Sequence, residues 1–143
     1  MMKHHIIQFI IMTIVGILFN PMNMLAYRFN DLYLSLTLFY GGLLMASNMI
    51  WSHELVHYFS MGHFNSKIFI IGIILSGISV LLLRSQLLVN DKEWLKRMIS
   101  HHSTALTTTH KINKNTKNEK IKKLSNDIIK TQEEEITQMK SLL

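Results

Sequence analysis

The chain has 143 residues, of which 48% are hydrophobic, a mean hydropathy of +0.20 and a formal charge of +6. It contains no cysteine, which excludes disulfides and thiolate ligands, so a soft-metal site must be built from methionine and histidine. The apolar residues crowd into the first ninety positions, as in a membrane anchor with a small polar tail. The positive charge lacks the interleaved aromatics and the binding module of a nucleic-acid partner.

Three apolar runs predict transmembrane helices at about 6–26, 32–51 and 68–89, making residues 1–89 a membrane domain in contact with lipid. Lys3 ahead of the first run resembles the start of a signal peptide. The small residues of a cleavage site are missing, and Asn20-Pro21 interrupts the run, so a span is the preferred reading.

In and beyond the second run, Met45, Met49, His53, His57 and Met61 recur at intervals of four, each a helical neighbour of the next. Such a ladder suits passage of a soft cation, and ionisable groups at membrane depth are functional candidates by default. Ordinary methionine packing with interfacial histidines is the plain alternative. The same stretch contains His53-Glu54-Leu55-Val56-His57, matching the H-E-x-x-H pattern of zinc proteases. A catalytic zinc needs a third protein ligand, and no aspartate follows inside a later span, which leaves His63 as a geometric substitute. Gly41, Gly42, Gly72 and Gly77, with Ser76, predict close helix packing. The third run reaches Val89 if Arg84 snorkels to the surface.

Residues 90–143 read as a helical hairpin. Asn90 is a plausible N-cap with Glu93 three residues on, opening a helix from about Asp91 to Lys111. An asparagine- and lysine-rich turn follows, where the clustered lysines would be solvated or meet anionic lipid headgroups. A second helix runs from about Asn118 to Leu142, with Ile121, Leu124, Ile128, Gln132, Glu135, Met139 and Leu142 along one face. Antiparallel pairing places Gln132 near Met98 and Ile128 near His102. Two helices cannot bury both faces, so a homo-oligomeric four-helix bundle is the expected completion.

Gln132 and Glu135 interrupt the apolar stripe, and such groups are costly to bury unless a histidine or a metal across the hairpin satisfies them. Met98, His101 and His102 share one helical turn and supply such partners. Thioether suits Cu(I) and Ag(I), and imidazole suits copper more widely. The candidate ligands are Met98, His101, His102 and Met139, with Gln132 and Glu135 as orienting groups or additional ligands. His110, on a similar face, is a weaker candidate. Without a metal, the methionines would be core filler and the histidines would hydrogen-bond within the bundle.

The run Met98-Ile99-x-His101-His102-x-x-Ala105, followed by Gln132-x-x-Glu135-Ile136-x-x-Met139, resembles the domain of unknown function 305 (DUF305) family. Arg84-Ser85-Gln86 and the stretch His101 to Thr108 are similar to its small membrane-anchored members. Ser100 stands where that family usually has proline, and Thr104 and Thr108 where many soluble members place methionine. The resemblance implies a ferritin-like half-bundle, which with the three apolar runs gives an all-α protein of three transmembrane helices followed by a C-terminal helical hairpin. It also implies copper or silver handling at a bacterial inner membrane, with the tail periplasmic. The charges pull the other way. Lys3 and Lys67 lie on one side of the membrane and Arg28, Arg84, Lys92, Lys96 and Arg97 on the other, which by the positive-inside rule favours a cytoplasmic tail. The function expected is binding of copper or silver, with zinc as the alternative metal, for tolerance or delivery rather than catalysis. The rivals are a membrane zinc metallopeptidase using His53, Glu54 and His57, and a metal-free assembly or regulatory subunit.

Overall fold

The computed structural model describes residues 2–143, and among them it contains helices and no strand. The helices are α1 (Met2–Leu18), the short α2 (Pro21–Met24), α3 (Leu36–Met61), α4 (Ser66–Ser85), α5 (Asp91–Asn115) and α6 (Glu119–Ser141), with one 3-10 turn at Phe29–Asp31. They form two compact units. The first comprises Met1–Phe19 and Leu36–Leu88, and the second Asn20–Ser35 and Val89–Leu143. Residues 20–35, expected within the membrane domain, therefore belong with the C-terminal hairpin.

The first unit is an antiparallel meander in which α3 packs against both α1 and α4. Glycine permits the closest approaches. A Cβ on Gly42 would lie 2.9 Å from the Thr13 carbonyl, and one on Gly72 would lie 2.8 Å from the Trp51 nitrogen. Gly41 and Gly77 face open space, so of the four glycines expected to pack closely only Gly42 and Gly72 do so. Polar links join α3 to α4: Ser76 donates to Asn48 Oδ1 at 2.9 Å, and the hydroxyls of Ser47 and Ser79 are 3.4 Å apart. Such bonds hold helices together where apolar burial alone gives little drive.

Two stretches, Lys3–Met24 and Ser66–Ser85, are long and apolar enough to cross a membrane. The expected span at 32–51 is not a third. Leu32–Ser35 lies outside the helix, and Tyr40, Ser47 and Asn48 with two glycines dilute the hydropathy of α3. The reason is positional. Tyr40, Gly42, Ser47 and Glu54 are buried within the unit, so this helix meets its neighbours through residues that need not be apolar. Its neighbours instead expose their side chains: Ile6, Ile7, Ile10, Ile11 and Ile14 on α1, and Ile70, Ile71, Ile74 and Leu81 on α4, are about half exposed or more. The expected extension of the last run to residue 89 is also cut short. The helix ends at Ser85, and Gln86 and Leu88 take left-handed conformations, φ 49° and 60°. The Tyr40 hydroxyl donates to the Leu87 carbonyl at 2.6 Å and Thr37 to Gln86 Oε1 at 2.8 Å, fixing this turn against α3.

The second unit is built on the α5–α6 hairpin. The Asn90 side chain accepts the Glu93 N–H at 3.0 Å and starts α5, and Asn118 caps α6. Helix α5 runs on through Ile112 and Asn113 to Asn115, so the turn is shorter than the asparagine-rich sequence suggests. The pairing consequently slides by about two turns from the expected register. His102 meets Glu135, and Asn113 meets Ser125 at 2.7 Å.

The segment 20–35 covers one face of this hairpin, where the sequence pointed to a second chain. Serine and threonine hydroxyls of α5 hold it in place. Ser103 Oγ accepts the Tyr27 N–H at 2.9 Å, Ser100 Oγ accepts that of Tyr33 at 3.2 Å and donates to the Asp31 carbonyl at 2.8 Å, and Thr104 donates to the Met22 carbonyl at 2.9 Å. Asp31 itself is fully buried. Its carboxylate takes a 2.7 Å bond from Ser103 and a 2.5 Å bond from the Lys140 ammonium, tying the segment to both helices.

Asp31→Ala should cost about 2–4 kcal/mol, since it strands a largely buried partner. Hydrogen exchange on the full chain should then show lost protection at Tyr27 and Tyr33. Unchanged protection would mean that the carboxylate does not hold the segment. In the first unit, Gly72→Val should destabilise by about 1–3 kcal/mol through overpacking against Trp51. Gly77→Ala, on open space, should be neutral or better in denaturant titrations of the same protein.

Candidate metal centre

The core of the second unit comprises Leu95, Ile99 and Leu106 from α5 with Ile136 and Met139 from α6, and Tyr33, Met98 and Ile129 pack around it. At the end of the hairpin away from its turn, this core opens into a pocket of about 430 Å³. Its lining includes Met98 and His102 from α5 and Glu135 and Met139 from α6, beside Trp94, Leu95, Gln138 and Leu142. Helical spacing explains the convergence: Met98 and His102 are four residues apart, as are Glu135 and Met139, so each pair shares a face.

His102 Nδ1 lies 3.0 Å from Glu135 Oε2, an ion-pair distance. The contact lacks hydrogen-bond alignment, so this buried ring nitrogen has no hydrogen-bond partner. Burial pushes the His102 imidazole below its ordinary value. Glu135 works against this and the neighbouring His101 works with it. The shift favours the neutral ring, the form in which imidazole binds metal.

The other predicted ligands lie elsewhere. His101 is exposed and meets His102 edge-on, with ring centroids 5.8 Å apart, but does not line the pocket. Gln132 is one turn before Glu135 and also outside the lining, because the shifted register places Met139, rather than Gln132, near Met98. His110 stacks on Tyr27 at 4.7 Å and 18°, which turns it to the segment 20–35. Among the described residues, no three histidine, aspartate or glutamate side chains form a metal-binding group. The donor set of the pocket is instead two thioethers, one imidazole and one carboxylate. That composition suits a soft cation, for which methionine supplies the donors that acidic residues supply to hard ones.

In the first unit, the row along α3 does not close on a single point. Met45, Met49 and Met61 are 40%, 39% and 75% exposed. His53 and His57 do pair, with ring centroids 4.3 Å apart. Between them in sequence, Glu54 is buried, and its Oε2 accepts the Asn65 N–H at 3.0 Å where α4 begins. This carboxylate, the glutamate of the H-E-x-x-H pattern, joins α3 to the start of α4. His63 is exposed in the loop before α4.

Sequence reasoning missed Asp31, Ser100, Ser103 and Lys140, the groups that position the hairpin. Ser100 and Thr104, read as departures from a family pattern, bond the segment 20–35. Asp31 carried no local signal, because its partners stand 72 and 109 residues away.

The model for a domain of unknown function, DUF305, matches residues 82–143, which include the whole of α5 and α6. An uncharacterised protein of Acanthamoeba polyphaga mimivirus is 36% identical over 138 residues, covering 96% of this chain and 90% of that protein, and so extends through the first unit as well. No solved structure matches. That relative is viral, so the match carries nothing about a bacterial membrane. The chain belongs to the DUF305 family.

Proposed function

We propose that the α5–α6 hairpin binds a soft monovalent metal, Cu(I) or Ag(I), in a membrane-anchored protein that sequesters or delivers the ion. The observation that carries this reading is the convergence of Met98, His102 and Met139 on one pocket, with Glu135 behind the imidazole. Met98 and Met139 would offer thioether sulfur and His102 a ring nitrogen, a neutral three-donor set that soft monovalent ions accept. Glu135 is too hard a donor for that role. It faces Nδ1 from 3.0 Å, and aligning into a hydrogen bond there would leave Nε2 for the metal, as carboxylates beside ligating histidines do. Bound copper supplies affinity and selectivity here, and no reaction is required of it.

Anchoring rests on Lys3–Met24 and Ser66–Ser85, whose exposed isoleucines would meet lipid, with α3 inserted between them as the more polar internal helix. Lys3 and Lys67 then fall at one end of this unit and Arg84 at the other. Zinc is the less suited metal, because two of the three donors are thioethers. The peptidase reading is less favoured, because one oxygen of its general base, Glu54, is already engaged by the Asn65 N–H. A metal-free assembly role would leave the hairpin unchanged by chelation.

The test is a Cu(I) titration of the full-length protein against a competing chelator. Met98→Ala and His102→Ala should each weaken binding by about 10–100-fold, while His101→Ala and Gln132→Ala should change it little. An equal loss from His101→Ala and His102→Ala would overturn the pocket as the site, and no competitive binding at all would favour the assembly role. The pH dependence follows from the buried ring. Protons compete with the metal for His102 only below its lowered value, so affinity should begin to fall at a lower pH than it would for an unshifted imidazole. A decline beginning above pH 7 would contradict this.

A further inference from the structure

The first unit contains a second group of imidazoles, independent of the hairpin pocket. The antiparallel pairing of α1 with α3, fixed where Gly16 meets Gly42, brings the start of α1 beside the second half of α3. Continued along the two antiparallel helices, the register that sets Gly16 against Gly42 brings His5 opposite His53. His53 and His57 stand one turn apart with ring centroids at 4.3 Å. Two polar atoms of this region are buried without a hydrogen-bond partner, His53 Nδ1 and Gln8 Oε1, and Gln8 lies one turn from His5 on α1. A buried polar atom without a protein partner is a place where a bound water or ion can be accommodated.

We propose that His5 of α1, with His53 and His57 of α3, forms a site for a divalent late first-row cation such as zinc or copper(II). A histidine pair at i and i+4 offers two nitrogens to one ion from a rigid helix. An all-imidazole set favours such cations over magnesium or calcium, which take oxygen ligands. As the side chains stand, no third histidine or acidic group completes a coordination group among the described residues. Closing the site therefore requires His5, half-buried at the helix start, to turn its ring toward the α3 pair. Glu54, buried next to His53 and bonded to Asn65, supplies negative charge near the ion without being a ligand. The site would clamp α1 to α3 by a bond between their side chains, adding to the glycine contact at the other end of the pair.

The experiment uses full-length, untagged protein in detergent and Co²⁺ as a spectroscopic stand-in for zinc. The expected result is one equivalent of Co²⁺ with ligand-field absorption, displaced by Zn²⁺ and retained in Met98→Ala/His102→Ala, which separates this site from the hairpin pocket. His53→Ala/His57→Ala should abolish the signal, and His57→Gln should do so with helical circular dichroism unchanged. His5→Ala should weaken binding by about tenfold or more, while His4→Ala should not. Co²⁺ binding that survives loss of the α3 pair, binding unaffected by His5→Ala, or no stoichiometric binding by the wild type would each overturn the proposal.

Discussion

The Asp31 carboxylate fixes the second unit. A buried ionised carboxylate is tolerated only when opposite charge and hydrogen bonds replace its lost hydration, and here the two are supplied by different helices. Ser103 bonds it from α5 and Lys140 from α6. These residues directly follow His102 and Met139, two of the groups lining the pocket. One carboxylate on a short 3-10 turn thus sets how far α5 and α6 are staggered at the position where their donor atoms meet. Other ion pairs of the unit contribute less. Arg28 and Glu133 pair at 2.9 Å with both side chains about half exposed, the situation in which solvent and side-chain entropy leave little net stability.

The same arrangement explains why the hairpin has partners for more than its own two helices. A pair of amphipathic helices leaves apolar and polar groups uncovered on both faces. Residues 20–35 cover one face with backbone as well as side chains, and backbone amides need acceptors. The small hydroxyls of Ser100, Ser103 and Thr104 supply acceptors and donors while letting the chain lie close to the helix. A proline or methionine at these positions would offer neither the hydrogen bonds nor the room. What looks like an irregular family motif is a docking strip on one side of α5. The opposite side presents Met98 and His102 to the pocket.

The first unit follows a different logic. Its outer helices carry exposed branched aliphatic side chains, and its central helix carries glycines, hydroxyls and a buried glutamate. Apolar surroundings would reward hydropathy on the outside and penalise unpaired polar groups inside, and on α3 Asn48, Ser47 and Glu54 are paired through Ser76, Ser79 and Asn65. Local hydropathy therefore undercounts the helices that such a unit assembles, because it scores a residue by its own transfer preference and not by what its neighbours provide.

The all-helical character, the capped start of α5 at Asn90 and the presence of a hairpin were legible in the chain itself, since helical periodicity and caps depend on residues within a few positions of one another. The spacing of Met98 with His102, and of Glu135 with Met139, likewise placed each pair on one face of its helix. The tertiary structure decided which of the candidates meet. The stagger of α5 on α6 depends on where the turn ends and on a carboxylate some seventy to one hundred residues away, so His101 and Gln132 could not be separated from the true pocket lining by spacing alone. Placement of the start of α1 beside the α3 histidines and capture of residues 20–35 by the hairpin are likewise long-range. They arise from packing between segments distant in sequence, for which a single chain read in order carries no local mark.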